Sequence, residues 1–113
     1  MTEDELQSGL LDAFKLAGWR YWHARRSDHA LWQGHRGWPD VTALPPRLDG
    51  PLLALELKGA NGALTEDQAT WLALLHRAGV TTAVVRPARY DRALGLILAG
   101  DSSAPSWEWA FRA

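Results

Sequence analysis

Three residues near the middle of this chain have types and spacing that could do chemistry together: Asp40, Glu56 and Lys58. Asp40 closes the segment Gly37-Trp38-Pro39-Asp40, and Glu56-Leu57-Lys58 ends the apolar run Leu52-Leu53-Ala54-Leu55. That run reads as a strand, along which side chains alternate between faces. Leu53, Leu55 and Leu57 then share one face, and Glu56 and Lys58 share the other. At a rise of about 3.3 Å per residue, the Cα atoms of Glu56 and Lys58 lie about 6–7 Å apart. A carboxylate and an ammonium therefore stand side by side. If a neighbouring strand starts at Asp40, its carboxylate joins them. Two carboxylates and one lysine at a sheet end suit metal-assisted phosphodiester chemistry.

The elements that must hold these residues follow from hydrophobic spacing and punctuation. Thr2 and Glu5 form a capping box that opens a helix running to about Leu16, with Leu6, Leu10, Phe14 and Ala17 on its buried stripe. Gly18 ends it. Trp19 to Ala24 alternates rings with polar residues and reads as a strand, and residues 25–37 read as a loop. Pro39 precedes a short strand, Asp40 to Leu44. The prolines and the Asp-Gly pair between Pro45 and Pro51 make a turn. Strand Leu52–Lys58 follows, antiparallel to its predecessor.

Thr65 and Gln68 form a second capping box, starting a helix with Trp71, Leu72, Leu74, Leu75 and Ala78 inward and Gly79 as its stop. Thr81–Val85 is a β-branched strand, and a helix near Tyr90–Leu98 packs through Leu94, Ile97 and Leu98. The alternation Trp107-Glu108-Trp109-Ala110-Phe111 predicts a final edge strand over 107–113 with three aromatics on one face. The order αβββαβ, with an extra C-terminal helix and this edge strand, predicts an α/β fold: a mixed β-sheet flanked by helices.

A chain of 113 residues with 47% apolar and 22% charged residues is expected to form one domain, 1–113. No apolar run is long enough to span a membrane, the first residues are acidic, and there is no cysteine. These features exclude disulfide staples and thiolate chemistry and point to a cytoplasmic protein. The net charge of −1 does not advertise a nucleic-acid binder, yet Arg20, Arg25, Arg26 and Arg36 gather with His23, His29 and His35 ahead of Asp40. Local basic patches matter more than the total for phosphate contact. The histidine spacing matches no zinc pattern, and Ser27 lacks a nucleophile-elbow context.

Gly-x-Pro-Asp, then Glu-Leu-Lys, then Leu-Thr-x-x-Gln-x-x-Trp, a helix, a glycine and a strand ending Arg-Pro resembles the PD-(D/E)XK nuclease superfamily. Within it, the chain is most similar to the VRR-NUC type of small prokaryotic and phage domain, over Gly37–Pro87, with a fainter likeness back to Glu5. The resemblance implies a restriction-endonuclease-like sheet and a metal-dependent DNA endonuclease. It assigns Asp40, Glu56 and the Leu57 carbonyl to Mg²⁺ or Mn²⁺, with Glu5 as the helix-borne acid that completes the metal sphere. Lys58 would orient the attacking water and offset phosphate charge, and Gln68 would be a further catalytic position. His23, Arg26 and Ser27 are compatible with the family's basic segment, and Arg25, His35, Arg36 and Trp38 join them as DNA-contact residues. The small size, and a likeness to Holliday-junction resolvases, implies a homodimer acting on branched DNA. A catalytically silent DNA- or protein-binding module is the alternative.

Several of these residues have ordinary structural roles open to them. Glu5 and Gln68 both occupy the third helical position of a capping box, where the side chain reaches back to the cap N–H. Trp19, Trp22 and Trp71 lie where packing is the default, and Trp107, Trp109 and Phe111 suit the sheet surface or a dimer contact. Trp38, beside the motif, is the tryptophan expected to touch substrate.

Overall fold

The computed structural model describes residues 1–23 and 33–111. Helix α1 (Glu3–Ala17) starts at the Thr2 capping box, with the Thr2 hydroxyl accepting from Glu5 N–H. It stops at Gly18, whose φ of +83° is the left-handed conformation that a glycine adopts without strain. Strands β1 (Arg20–His23), β2 (Val41–Leu44) and β3 (Leu53–Leu57) form an antiparallel meander, and α2 (Glu66–Arg77) crosses over to β4 (Thr81–Val85), which runs parallel to β3. A 3₁₀ turn, Pro87–Arg89, leads into α3 (Tyr90–Leu98). The sheet order is β1-β2-β3-β4. This is the mixed sheet flanked by helices that the pattern predicts.

The sheet has two unequal faces. Val41, Ala43, Leu53, Leu55, Leu57, Ala83 and Val85 meet Leu6, Leu10 and Phe14 of α1 and Ala93 and Ile97 of α3 in the main core. Trp19 closes that core, edge-on to Phe14 at 5.1 Å, with its indole N–H donating to the Ile97 carbonyl at 2.8 Å. On the opposite face lie Ala54, Glu56, Thr82 and Val84, all buried, with α2 packed against β4. Every residue of β3 is buried, which requires cover on both sides. Glu56 is the one charged residue type in that strand.

Two expectations give way here. Leu74, Ala78 and Leu98 are exposed rather than inward; Leu72 is the residue that α2 buries. Helix α2 rests chiefly on the edge strand β4, so its contact stripe is narrow. The C-terminal edge strand is absent among the described residues. Helix α4 (Ala104–Trp107) and a 3₁₀ turn, Glu108–Ala110, occupy its place. The reason is local: the Asp101 carboxylate accepts from Ser103 N–H and from the Ser106 hydroxyl, which folds the segment into a turn. The aromatics are then used within the chain. Trp107 is fully buried and donates to the Asp101 carbonyl, Trp109 stacks on Trp107 under the Arg92 guanidinium, and Phe111 stacks on His76 at 4.0 Å.

Candidate active site

Extending the β2–β3 register one step beyond Val41↔Leu55 sets Asp40 opposite Glu56. Directly opposed residues share a sheet face, so Asp40, Glu56 and Lys58 gather on the α2 side, at the C-terminal end of β3. Asp40 Oδ2 accepts the Leu57 N–H at 2.7 Å, which ties the loop acid to the strand. Lys58 Nζ lies 3.9 Å from Glu56 Oε1, with the lysine side chain 13% exposed and the glutamate 2%. The second oxygen, Glu56 Oε2, is buried without a hydrogen-bond partner.

An ionised carboxylate cannot be left in that state cheaply. Burial first, then the negative charge of Asp40 and a hydrogen bond with it, together lift the Glu56 carboxyl from 4.5 to about 9, against the opposing pull of Lys58. A smaller push comes from Glu3 at the start of α1. At neutral pH and without a cation, Glu56 therefore holds a proton that it would release to a positive charge placed beside Asp40.

Leu57 offers a backbone oxygen to the same place. Lys58 N–H donates across to the Val85 carbonyl on β4. Backbone groups alternate sides along a strand, so Leu57 turns its N–H and C=O toward β2. Its partner there, by continued register, is Pro39. A proline has no N–H to give, so the β2 ladder supplies no donor to the Leu57 carbonyl at this step. Two carboxylates, one carrying an orphaned buried oxygen, and a backbone carbonyl form a hard-oxygen donor set that could hold Mg²⁺ or Mn²⁺. Among the described residues, no group of three or more His, Cys, Asp or Glu gathers around one point. Further ligands would come from backbone or water, as those ions prefer.

The other sequence-predicted residues divide. Glu5 Oε1 accepts the Thr2 N–H at 2.9 Å, and that contact holds its carboxyl below the usual carboxylate range; the α1 acid felt at Glu56 is Glu3. Gln68 Oε1 likewise accepts the Thr65 N–H at 2.9 Å, and its own N–H donates to the Thr65 hydroxyl. Gly37 binds the motif loop to this helix start. Its φ is +96°, and a Cβ there would stand 2.5 Å from the Asp67 carbonyl carbon and 2.7 Å from Gln68 N. Trp38 is 39% exposed, 4.8 Å edge-to-face from Trp71, whose indole N–H donates to the His35 carbonyl. His35 and Arg36 are exposed beside them. His23 pairs with Val41, which places it on the α1 face, away from Glu56. Arg25, Arg26 and Ser27 lie outside the described residues.

Sequence reasoning missed three residues. Glu3 was hidden by the capping-box role of its neighbour. Trp22 was assigned to packing, yet it is 59% exposed and opposes Thr42 on the Glu56 side of the sheet. Arg86 looked like a strand terminator, but its guanidinium Nη1 donates to the Gly59 and Gly62 carbonyls just past Lys58.

The family model of the VRR-NUC domain matches residues 2–88, a span that starts at the α1 cap and ends just beyond β4. A solved structure named a VRR_NUC domain protein superposes with a TM-score of 0.58 at 18% identity, over 86% of this chain and 85% of that one. No curated protein matches the chain. The matched span contains Asp40, Glu56, Lys58 and the elements that bring them together, and the chain belongs to the VRR-NUC family of the PD-(D/E)XK nuclease superfamily.

Proposed function

We propose that this chain is a divalent-metal-dependent DNA endonuclease that hydrolyses phosphodiester bonds, with Asp40, Glu56 and the Leu57 carbonyl as ligands of Mg²⁺ or Mn²⁺. The observation that carries the reading is the buried Glu56 carboxyl beside Asp40, with one oxygen unpartnered and Lys58 at 3.9 Å from the other. When bound, the ion supplies Lewis acidity to the phosphoryl oxygen and lowers the pKa of a water. The protein does the rest. Asp40 and Glu56 fix the position of positive charge, and Asp40 is itself held by the Leu57 N–H. Lys58 sets a compact positive charge beside the carboxylates, where it offsets negative charge developing on the phosphate. Gln68 contributes at the α2 start.

The strand contacts are Trp38, His35 and Arg36 from the described loop, with Arg25, Arg26 and Ser27 nearby in sequence. Exposed Trp38 beside Asp40 favours an unpaired or frayed strand, because every base offers a face for stacking. Branched DNA bound by a homodimer is the substrate this reading favours, in a cytoplasmic setting. The test is cleavage of four-way, single-stranded and duplex DNA with Mg²⁺, with Mn²⁺ and with EDTA. Metal-dependent cutting that Asp40→Ala, Glu56→Ala and Lys58→Ala each abolish supports the reading. If the wild type cuts none of the substrates, the reading fails.

One observation favours a second reading. The net charge of −1 is low for a nucleic-acid enzyme and suits a catalytically silent DNA- or protein-binding scaffold that never takes up an ion. Calorimetric titration with Mn²⁺ separates the two, since a scaffold of that kind gives no binding heat.

A further inference from the structure

Lys58 must hold its ammonium beside Glu56, yet a lysine stem has four rotatable bonds and no rigid fork. The surroundings of this stem are more ordered than a strand end requires. Lys58 sits across from Arg86 by continuation of the parallel β3–β4 register, and its own N–H donates to the Val85 carbonyl at 3.1 Å. After Lys58 the chain turns back through Gly59-Ala60-Asn61-Gly62, closed by Gly62 N–H donating to the Gly59 carbonyl at 3.3 Å. Gly62 faces the lysine stem. A Cβ built there would stand 3.5 Å from Lys58 Cδ and 3.8 Å from Lys58 Cβ.

A four-residue turn with two glycines costs conformational entropy to fix. Arg86 supplies the fixing contacts. Its Nη1 donates to the Gly59 carbonyl at 3.0 Å and to the Gly62 carbonyl at 2.6 Å, bridging both ends of the turn from one guanidinium nitrogen. Charge-assisted bonds of this kind are stronger than neutral ones. No carboxylate is within salt-bridge distance of Arg86 among the described residues, so its charge is met by carbonyl dipoles.

We propose that Arg86 is a positioning residue for Lys58: by stapling Gly59 to Gly62 it makes the turn a wall that directs the lysine ammonium toward Glu56 and the reacting phosphate. This rests on the nuclease reading for its role in cleavage, but not for the geometry. Arg86 touches neither substrate nor metal in this scheme.

The sequence offers a direct probe, because Lys15 and Lys58 are its two lysines. Lys15 is exposed and acts as an internal standard. Reductive methylation with ¹³C-formaldehyde, read by NMR or by mass of the peptides, gives the Lys58 to Lys15 rate ratio. With the two charge-assisted bonds gone, Arg86→Ala is expected to raise that ratio about tenfold with the circular dichroism spectrum unchanged. A ratio unchanged in folded Arg86→Ala overturns the proposal. If Arg86→Ala does not fold, Arg86→Gln keeps one planar donor, and its ratio is expected to rise severalfold; an unchanged ratio there overturns the proposal equally.

In the cleavage assay, Arg86→Ala is expected to lower kcat at least tenfold, with KM and the Mn²⁺ dissociation constant within about twofold of wild type. Arg47→Ala, in the exposed 46–49 turn, serves as the charge-loss control. A kcat no lower than that of Arg47→Ala overturns the catalytic half. If the wild type cuts no DNA, it is the nuclease reading that falls, and the lysine ratio still decides the role of Arg86.

Discussion

Replacing Glu56 by glutamine turns the electrostatics of the site into a stability measurement that needs no substrate. The Glu56 carboxyl is pushed up to about 9 in the folded chain, against 4.5 for its ordinary value. Between those limits the native state holds a proton that the unfolded state has lost. Stability from this group is therefore fully present below pH 4.5 and is lost as the pH rises toward 9. Each pH unit inside the window is worth about 1.4 kcal/mol, so by pH 7 the metal-free protein forfeits about 3 kcal/mol relative to pH 4.5 on this account. That is a large share of a small domain's stability of about 5–15 kcal/mol. Glu56→Gln keeps the shape and cannot ionise. We expect urea unfolding in EDTA, followed by far-ultraviolet circular dichroism from pH 5 to 8.5, to show a falling midpoint for wild type and a much flatter one for Glu56→Gln. The variant should be the more stable protein at pH 8. Saturating Mn²⁺ at pH 8 should recover wild type by about 2.7 kcal/mol at a hundred times its dissociation constant and leave Glu56→Gln behind. Parallel pH profiles for the two proteins in EDTA, or a wild type that gains stability from pH 5 to 8, would refute the reasoning.

Other substitutions probe the neighbours. Pro39→Ala provides an N–H opposite the Leu57 carbonyl; competition worth about 1 kcal/mol for one hydrogen bond should weaken Mn²⁺ binding roughly fivefold in calorimetry. Glu3→Gln is expected to weaken Mn²⁺ binding by a measurable factor, whereas Glu5→Ala should leave binding alone and lower the thermal unfolding midpoint through loss of the helix cap. Gly37→Ala forces a side chain onto a φ of +96° and against the α2 backbone; a loss of about 1–3 kcal/mol in urea unfolding is expected. Trp38→Ala should weaken binding of a fluorescent single strand by about 1–3 kcal/mol in anisotropy titrations, with less effect on blunt duplex.

The parts legible in the sequence were those set by local rules. Alternation along Leu53–Leu57 put Glu56 and Lys58 on one side, and two Thr-x-x-Glu/Gln signatures placed both long helix starts. What escaped depended on register and on turn chemistry. Which ring of β1 faces the site is fixed by Trp22 opposing Thr42, and no local signal crosses the loop between them. The tail failed for a different reason. Its alternating aromatics look like a strand, but Asp101, Ser103 and Ser106 bond to one another and curl the chain before the alternation can be used. Glu3 was masked because an acid in the first helical turn already has a reason to be there.

The α2 cap has a consequence for the chemistry beside it. An amide side chain has one end that accepts and one that donates, and ordinarily it can turn over. Gln68 cannot do so without breaking its cap, since its oxygen is committed to the Thr65 N–H. Its NH₂ is thus the end left for anything else, so Gln68 can meet a phosphate oxygen or a water lone pair but is a poor ligand for a cation. The first turn of a helix in this way decides which end of the Gln68 amide is free to meet a ligand.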